Sequence, residues 1–480
     1  MHPLLRRLLS AVLVIIGLSV ADAAQNQETP NVILIMVDDM GWGDVGFNGN
    51  TTIRTPHLDA LCAKGARFEN FFSGASVCSP SRSAFMTGRS PYRHGIWSAN
   101  VGRLARQEYT IPEALKSKGY ATGHFGKWHL GVPNPEYRGK GGGDGTDTHF
   151  ALPQWFSYDE HFVTHHSVPT WDPYGPKAGN AATTGNPYFH NGKRVTENLL
   201  GDDTRIIMDR AIPFIQKNSE QKTPFLAVIW PHTPHEKVVA GTEYQALYPE
   251  AEGKAKHYYG TITAFDDQIG RLVEELGKLG ISQNTIIAFS SDNGPEHKEG
   301  PGETGGLRGR KRSLYSGGGC VPAFMVWPGL IEPDSLIETP CSSLDYLPTL
   351  VDYLSIERPD QRPLDGASLL PILKQETSKR PTEFPFLSKG KLAWIGNEYK
   401  LITQMKDERV NASDELYNIR NDRFETTNIA AQNPELLKSI KLNARRFMRS
   451  AKSSFQGGDY DDPNYTPLGN WLESKKNKKK

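Results

Sequence analysis

Val32 to Val37 form an unbroken apolar run behind Asn31. That pattern suits a strand buried on both faces, not one with a wet side. Phe225 to Trp230 repeats it, and Thr285 to Ser290 and Phe324 to Trp327 are further runs of strand length. Tyr120 to Phe125 reads as a shorter strand. Between these runs the spacing becomes helical. One helix is expected from Thr55-Pro56 to near Gly65, and another after Thr110-Ile111-Pro112 to near Gly119. Residues 203–218 and 255–279 also show helical spacing. Strands alternating with helices predict an α/β domain: a large, mostly parallel sheet sandwiched by helices.

The pattern weakens over residues 131–195, which are rich in Gly, Pro, His and Trp. Such a segment suits a functional loop and could form part of a substrate-pocket wall. Trp155, His161, His165, His166 and Trp171 could stack on and hydrogen-bond to a sugar, or simply pack the loop. From about Glu376 short alternating stretches take over, including Leu392 to Ile395 and Tyr399 to Ile402, followed by a helix near 434–450. The expected organisation is a main domain over 25–375 and a small C-terminal antiparallel α+β subdomain over 376–455. A flexible basic tail is expected over 456–480.

The first 24 residues match an export signal. Arg6 and Arg7 precede a short apolar stretch, Leu8 to Val20, and Ala21-Asp22-Ala23 suits cleavage. The stretch is too short for a comfortable membrane span. A secreted or periplasmic protein is therefore expected. Net charge is only +1 over 480 residues, which argues against bulk nucleic-acid binding. The four cysteines, Cys62, Cys78, Cys320 and Cys341, are too few for a disulfide scaffold of this size. A Cys320–Cys341 bridge is conceivable.

Open parallel sheets bind ligands beyond the carboxyl ends of their strands. Four polar clusters fall at such ends here: Asp38-Asp39, Lys127-Trp128-His129, His232, and Asp292-Asn293. Each acidic pair alone suits turn capping. Two pairs on two strand ends suit a hard cation such as calcium or magnesium. Lys127 supplies a point charge and His129 a titratable base, unless both are ordinary loop residues. Cys78-Ser79-Pro80-Ser81-Arg82 reads as a helix opening, with Ser79 as cap and Pro80 in the first turn. Such a terminus also favours an anion.

Taken with Thr87-Gly88-Arg89, that stretch resembles the C-x-P-S-R…T-G-R signature of type I sulfatases, of the alkaline-phosphatase-like superfamily. Gly126 to Gly131 is similar to the family's G-K-W-H-L-G motif, and Arg308-Gly309-Arg310-Lys311 to its R-G-x-K stretch. Asp38-Asp39, Asp292-Asn293-Gly294, Pro231-His232-Thr233-Pro234-His235 and Glu415-Leu416-Tyr417-Asn418 also have family counterparts. The family usually continues with Glu-Gly-Gly where this chain has Ser316-Gly317-Gly318, which puts local packing in doubt.

The resemblance implies that a maturation enzyme oxidises Cys78 to formylglycine. The hydrate of that aldehyde would attack sulfur, release the alcohol, then expel sulfate. It implies one calcium ion held by Asp38, Asp39, Asp292 and Asn293, with residue 78 close to it. Arg82 and Lys127 would hold the hydrate, and His129 would act as base. His232 and Lys311 would bind sulfate and help protonate the leaving oxygen, with His235 structural. A sulfated carbohydrate is the expected substrate. A phosphodiesterase or phosphonate-ester hydrolase of the same superfamily would share the metal pair and fold. With Cys78 unmodified, the chain would be a non-catalytic sulfoglycan-binding protein.

Overall fold

The structure is a computed structural model that describes residues 29–137, 149–174, 186–298, 300–388, 391–406, 409–467 and 469–472. The export-signal residues 1–24 and the lysine run near the C-terminus lie outside the described residues. Only the elements used below are numbered.

The first apolar run forms β1 (Asn31–Val37), buried at every position. Its alternation divides the core in two. Val32, Leu34 and Met36 point into one apolar layer, and Ile33, Ile35 and Val37 into the other. The first layer is closed by α2 (Cys78–Thr87) and α3 (Ile111–Lys116). The second is closed by α1 (Pro56–Cys62), α4 (Asp203–Glu220) and α5 (Gly253–Lys278). Helices thus cover both faces, as a strand apolar on both sides requires.

The remaining strands of the main sheet are β2 (Ala66–Phe68), β3 (Ala121–Lys127), β4 (Glu160–Thr164), β5 (Phe189–His190) and β6 (Lys193–Arg194). They continue with β7 (Phe225–Trp230), β8 (Thr285–Ser291), β9 (Phe324–Val326) and β10 (Ser335–Ile337). The ten strands run β10-β2-β9-β8-β1-β7-β3-β4-β5-β6. The central five, β8 to β4 in that order, are parallel. β9 enters antiparallel to both neighbours. The carboxyl ends of β8, β1, β7 and β3 therefore stand side by side on one edge.

A second sheet of four antiparallel strands, β11 (Phe384–Ser388), β12 (Lys391–Ile395), β13 (Tyr399–Lys406) and β14 (Arg409–Asn418), packs with α6 (Pro434–Phe455). Ser316, where the family resemblance leads one to expect a glutamate, is instead met by two charged side chains of this subdomain. Glu425 accepts from the Ser316 backbone N–H at 2.6 Å and pairs with Lys400 at 2.7 Å, both side chains fully buried. Lys400 also donates to the Ser316 hydroxyl at 3.2 Å.

Three expectations change. Val77, not Ser79, precedes the first helical residue of α2, so Cys78 itself opens the helix. All four cysteines are free and buried, so Cys320 and Cys341 do not pair. The chain after 456 does not simply trail away. Asp459 pairs with Arg89 at 2.6 Å, and Trp471 packs edge-on to Trp97 at 5.4 Å. Among the described residues no helix is long and apolar enough to cross a membrane.

Candidate active site

Asp38 and Asp39 follow β1 directly, and Asp292 and Asn293 follow its parallel neighbour β8. Adjacent strand ends therefore bring the two pairs together. The Asp39 N–H donates to Asp292 Oδ1 at 3.2 Å, and Asn293 Nδ2 to Asp39 Oδ1 at 2.5 Å. Cys78, at the N-terminus of α2, completes the group, with Sγ 3.4 Å from Asp38 Oδ1. One ligand atom from each of Asp38, Asp39, Cys78 and Asp292 lies within 4.8 Å of the others, and all four residues are buried.

Three cations are placed against these carboxylates. Arg82, one turn along α2 from Cys78, donates to Asp292 Oδ2 through Nε at 3.1 Å and Nη2 at 2.8 Å. Its guanidinium lies 5.0 Å from the Trp230 ring centre. Lys127, the last residue of β3, donates to Asp38 Oδ2 at 2.5 Å. Lys311 donates to both oxygens of Asp39 at 2.5 Å. Burial pushes the Asp38 carboxyl up, but Lys127, His235, Arg82 and Lys311 together hold it well below the usual range.

The donors fit a hard divalent cation: three carboxylates and one amide oxygen outnumber the one thiol, Cys78, and the one imidazole, His235, that lie beside them. Asn293 Oδ1 supplies an independent indication. It is buried and has no hydrogen-bond partner among the described residues, an arrangement that costs free energy unless something accepts its lone pairs.

A cavity of about 420 Å³ opens over this cluster, lined by Cys78, His129, His235, Lys311, Trp97 and Asn100 among others. Its size suits a small ligand or one unit of a larger one. His129 sits in its wall with the backbone in the left-handed region, φ 56°. Neither ring nitrogen has a hydrogen-bond partner among the described residues. Burial and the neighbouring Lys127 hold the ring well below the ordinary histidine range, which favours its uncharged form.

The two histidines after β7 exchange the positions expected of them. His232 is fully buried, with Nδ1 2.7 Å from Asp203 Oδ2 and Nε2 2.8 Å from Thr164 Oγ1. Both nitrogens are engaged away from the cavity, so its placement does not match a sulfate-binding role. The turn closed by the His235 N–H on the His232 carbonyl, 2.7 Å, swings His235 over the cluster. Its Nε2 comes to 3.7 Å from Asp39 Oδ2, with 21 % of the side chain exposed. No signal in the sequence gives these directions, because the backbone hydrogen bond of the turn sets them. Ser167, overlooked in the sequence, donates to Asp38 Oδ2 at 3.5 Å and lines the cavity. Of the aromatic and histidine loop residues, His166 reaches the cavity. Trp155 packs beneath Arg106, and Trp171 against Tyr244.

The sequence profile of the family described as Sulfatase matches residues 30–356. The chain belongs to that family. It is a type I sulfatase, a sulfuric ester hydrolase on an alkaline-phosphatase-like fold. A second profile, described as N-sulphoglucosamine sulphohydrolase, C-terminal, matches 308–449. Among curated relatives, N-acetylgalactosamine-6-sulfatase of Mus musculus is 33% identical over 390 residues, covering 77% of this chain and 71% of its own. Steryl-sulfatase of the same species is 30% identical, covering 80% and 72%. Among solved structures, Ps i-CgsB in complex with k-i-k-neocarrahexaose superposes with a TM-score of 0.76 at 29% identity, covering 88% of this chain and 93% of that one. A phosphonate monoester hydrolase of Agrobacterium radiobacter, TM-score 0.61 at 19% identity over 88% of this chain and 95% of its own, shares the fold.

Proposed function

We propose that this sulfatase removes sulfate from a sulfated carbohydrate outside the cytoplasm, with residue 78 acting as formylglycine beside a calcium ion. The carrying observation is the seat of Cys78. It opens α2, 3.4 Å from Asp38, at the floor of a cavity walled by His129, His235 and Lys311. Its Sγ stands in for an oxygen of the matured side chain. Formylglycine would supply a hydrate whose two hydroxyls serve attack on sulfur and later release of sulfate. The ion, held by Asp38, Asp39, Asp292 and Asn293, would supply Lewis-acid polarisation.

The chain's own groups do the rest. Lys127 and Lys311 lie within the cluster where negative charge must be held during transfer. Arg82 is locked by Asp292 and presents its charge at the base of the helix. His129, whose ring nitrogens have no hydrogen-bond partner among the described residues, is our candidate to take a proton from the group at position 78. We assign proton donation to the leaving oxygen to His235 rather than His232: its Nε2 overhangs the cluster, and although burial pushes its ring down to about 4, the negative charge of a sulfate ester bound beside it would raise that value. Carbohydrate is supported by the polar wall of Ser98, Asn100, His166 and Glu236. The names of the relatives above, an N-acetylgalactosamine sulfatase and a protein crystallised with a carrageenan oligosaccharide, point the same way. Export by the segment 1–24 and maturation by a formylglycine-generating enzyme complete the proposal.

The test combines the mass of the peptide carrying residue 78 with turnover of a panel of sulfated mono- and oligosaccharides, aryl sulfates and phosphate diesters. Matured enzyme should show the aldehyde mass and cleave a sulfated sugar. Cys78→Ser, which offers no second hydroxyl, should retain only a trace of turnover. Full multiple turnover by unmodified serine would sink the mechanism, and a preference for phosphate diesters would sink the substrate class.

A further inference from the structure

The turn Trp97 to Asn100 contributes four consecutive residues to the cavity wall, yet none of them is required by the sulfate chemistry above. Two of its polar atoms are unsatisfied. Trp97 Nε1 and Asn100 Oδ1 are buried and have no hydrogen-bond partner among the described residues. A buried indole N–H normally finds an acceptor, and a buried amide oxygen a donor. Leaving either unmet is unfavourable in a buried site. The pair is complementary: one donor and one acceptor, three residues apart on one turn.

The turn is also fixed. Ser98 and Val101 bridge across it, closed by the Val101 N–H on the Ser98 carbonyl at 3.1 Å. Asn100 occupies the left-handed region, φ 60°. Its N–H donates to the Ser79 hydroxyl at 3.3 Å, which ties the turn to the residue following Cys78. The Trp97 ring is gripped by Tyr92, Phe455 and Trp471, at centroid distances of 5.0, 5.2 and 5.4 Å. A wall clipped to the nucleophile helix and braced by the C-terminal chain holds its geometry relative to position 78. Preorganisation of that kind is what selective recognition needs.

We propose that the Trp97–Asn100 turn reads the sugar next to the sulfate ester. Trp97 Nε1–H donates to a hydroxyl, ring or amide oxygen, and Asn100 Oδ1 accepts from a hydroxyl or amide N–H. These residues bind the sugar; they take no part in breaking the S–O bond. The proposal rests on the carbohydrate reading above.

Two variants separate recognition from chemistry. W97F keeps an aromatic ring and deletes the donor, and N100G deletes the acceptor where glycine accepts the backbone without strain. Each is compared with the parent on the best-cleaved member of a panel of sulfated galactose and N-acetylgalactosamine, and on para-nitrophenyl sulfate, which has no sugar hydroxyls. The readout is the ratio of kcat/KM on the sugar to kcat/KM on the aryl sulfate. Each variant should lower that ratio roughly five- to tenfold, the size of one neutral hydrogen bond, mainly through KM. An unchanged ratio, with both substrates slowed equally or neither slowed, overturns the proposal while leaving the enzyme a carbohydrate sulfatase. Should W97F lose its fold through the Phe455 and Trp471 contacts, N100G alone decides. A parent enzyme that cleaves the aryl sulfate but no sulfated sugar overturns the carbohydrate reading and this inference with it.

Discussion

His232 and His235 lie three residues apart yet face opposite ways. The first has both nitrogens bound and no exposed side-chain surface; the second overhangs the carboxylate cluster. Replacing each by glutamine should therefore give two different defects. H235Q should lower kcat by about a hundredfold or more, the usual contribution of a positioned acid, with an unchanged thermal midpoint. H232Q should lose about 1–3 kcal/mol of stability from the broken buried contacts to Asp203 and Thr164. Kinetics and thermal denaturation of both variants check this, and a catalytic loss in H232Q that exceeds the one in H235Q would contradict it. The sequence made the neighbourhood legible, because strand-end position alone brings Asp38, Lys127 and Asp292 together. Side-chain direction after the strand was not legible, because the 231–235 turn decides it through a backbone hydrogen bond between the two histidines. Ser167 was hidden for a similar reason: it lies three residues past β4, in the stretch 131–195 whose sequence shows no clear period to orient it.

At the scale of elements, the runs with one dominant period were readable. β1, β7 and β8 are buried at every position and carry apolar runs because helices cover both faces, and α4 and α5 keep their helical spacing over many turns. The antiparallel entry of β9 was not readable, since a three-residue apolar strand looks the same in either direction. Nor was the answer to Ser316. The carboxylate that serves its backbone comes from Glu425, 109 residues away, and brings Lys400 with it. This joint links the C-terminal sheet to the loop that delivers Lys311. Glu425→Gln would leave the buried Lys400 ammonium without its charge partner, so a loss of about 3–5 kcal/mol is expected. Replacing both residues together, Lys400→Met with Glu425→Gln, should recover part of that loss. Chemical denaturation of the two variants and the parent measures it. A double variant no more stable than E425Q would show that the ion pair is not what holds the joint.

Across the whole molecule, the cation cluster draws on chain segments far apart in sequence. Asp38 and Asp39 leave β1, Asp292 and Asn293 leave β8, and residue 78 opens α2. In the unfolded chain these groups cannot converge, so an ion that binds them favours the folded state alone. At a free calcium concentration a hundred times its Kd the stabilisation would be about 2.7 kcal/mol. Chelation should accordingly lower the thermal midpoint of the full chain, and calcium should restore it in a concentration-dependent way. Magnesium should restore less, because it demands near-ideal octahedral geometry while Lys127, Lys311 and Arg82 already hold several of the carboxylate oxygens. Asn293→Ala probes the orphaned amide oxygen directly. It should weaken the calcium-dependent rise in midpoint, since Oδ1 has no hydrogen-bond partner among the described residues. The lost donations to Asp39 and Gly294 should lower the chelated variant as well, by about 1.5–3 kcal/mol, so the rise from the chelated to the calcium-loaded state is the quantity compared. A midpoint that ignores both chelator and calcium in the parent would mean that the three side-chain cations alone neutralise the cluster, and that no ion is resident there.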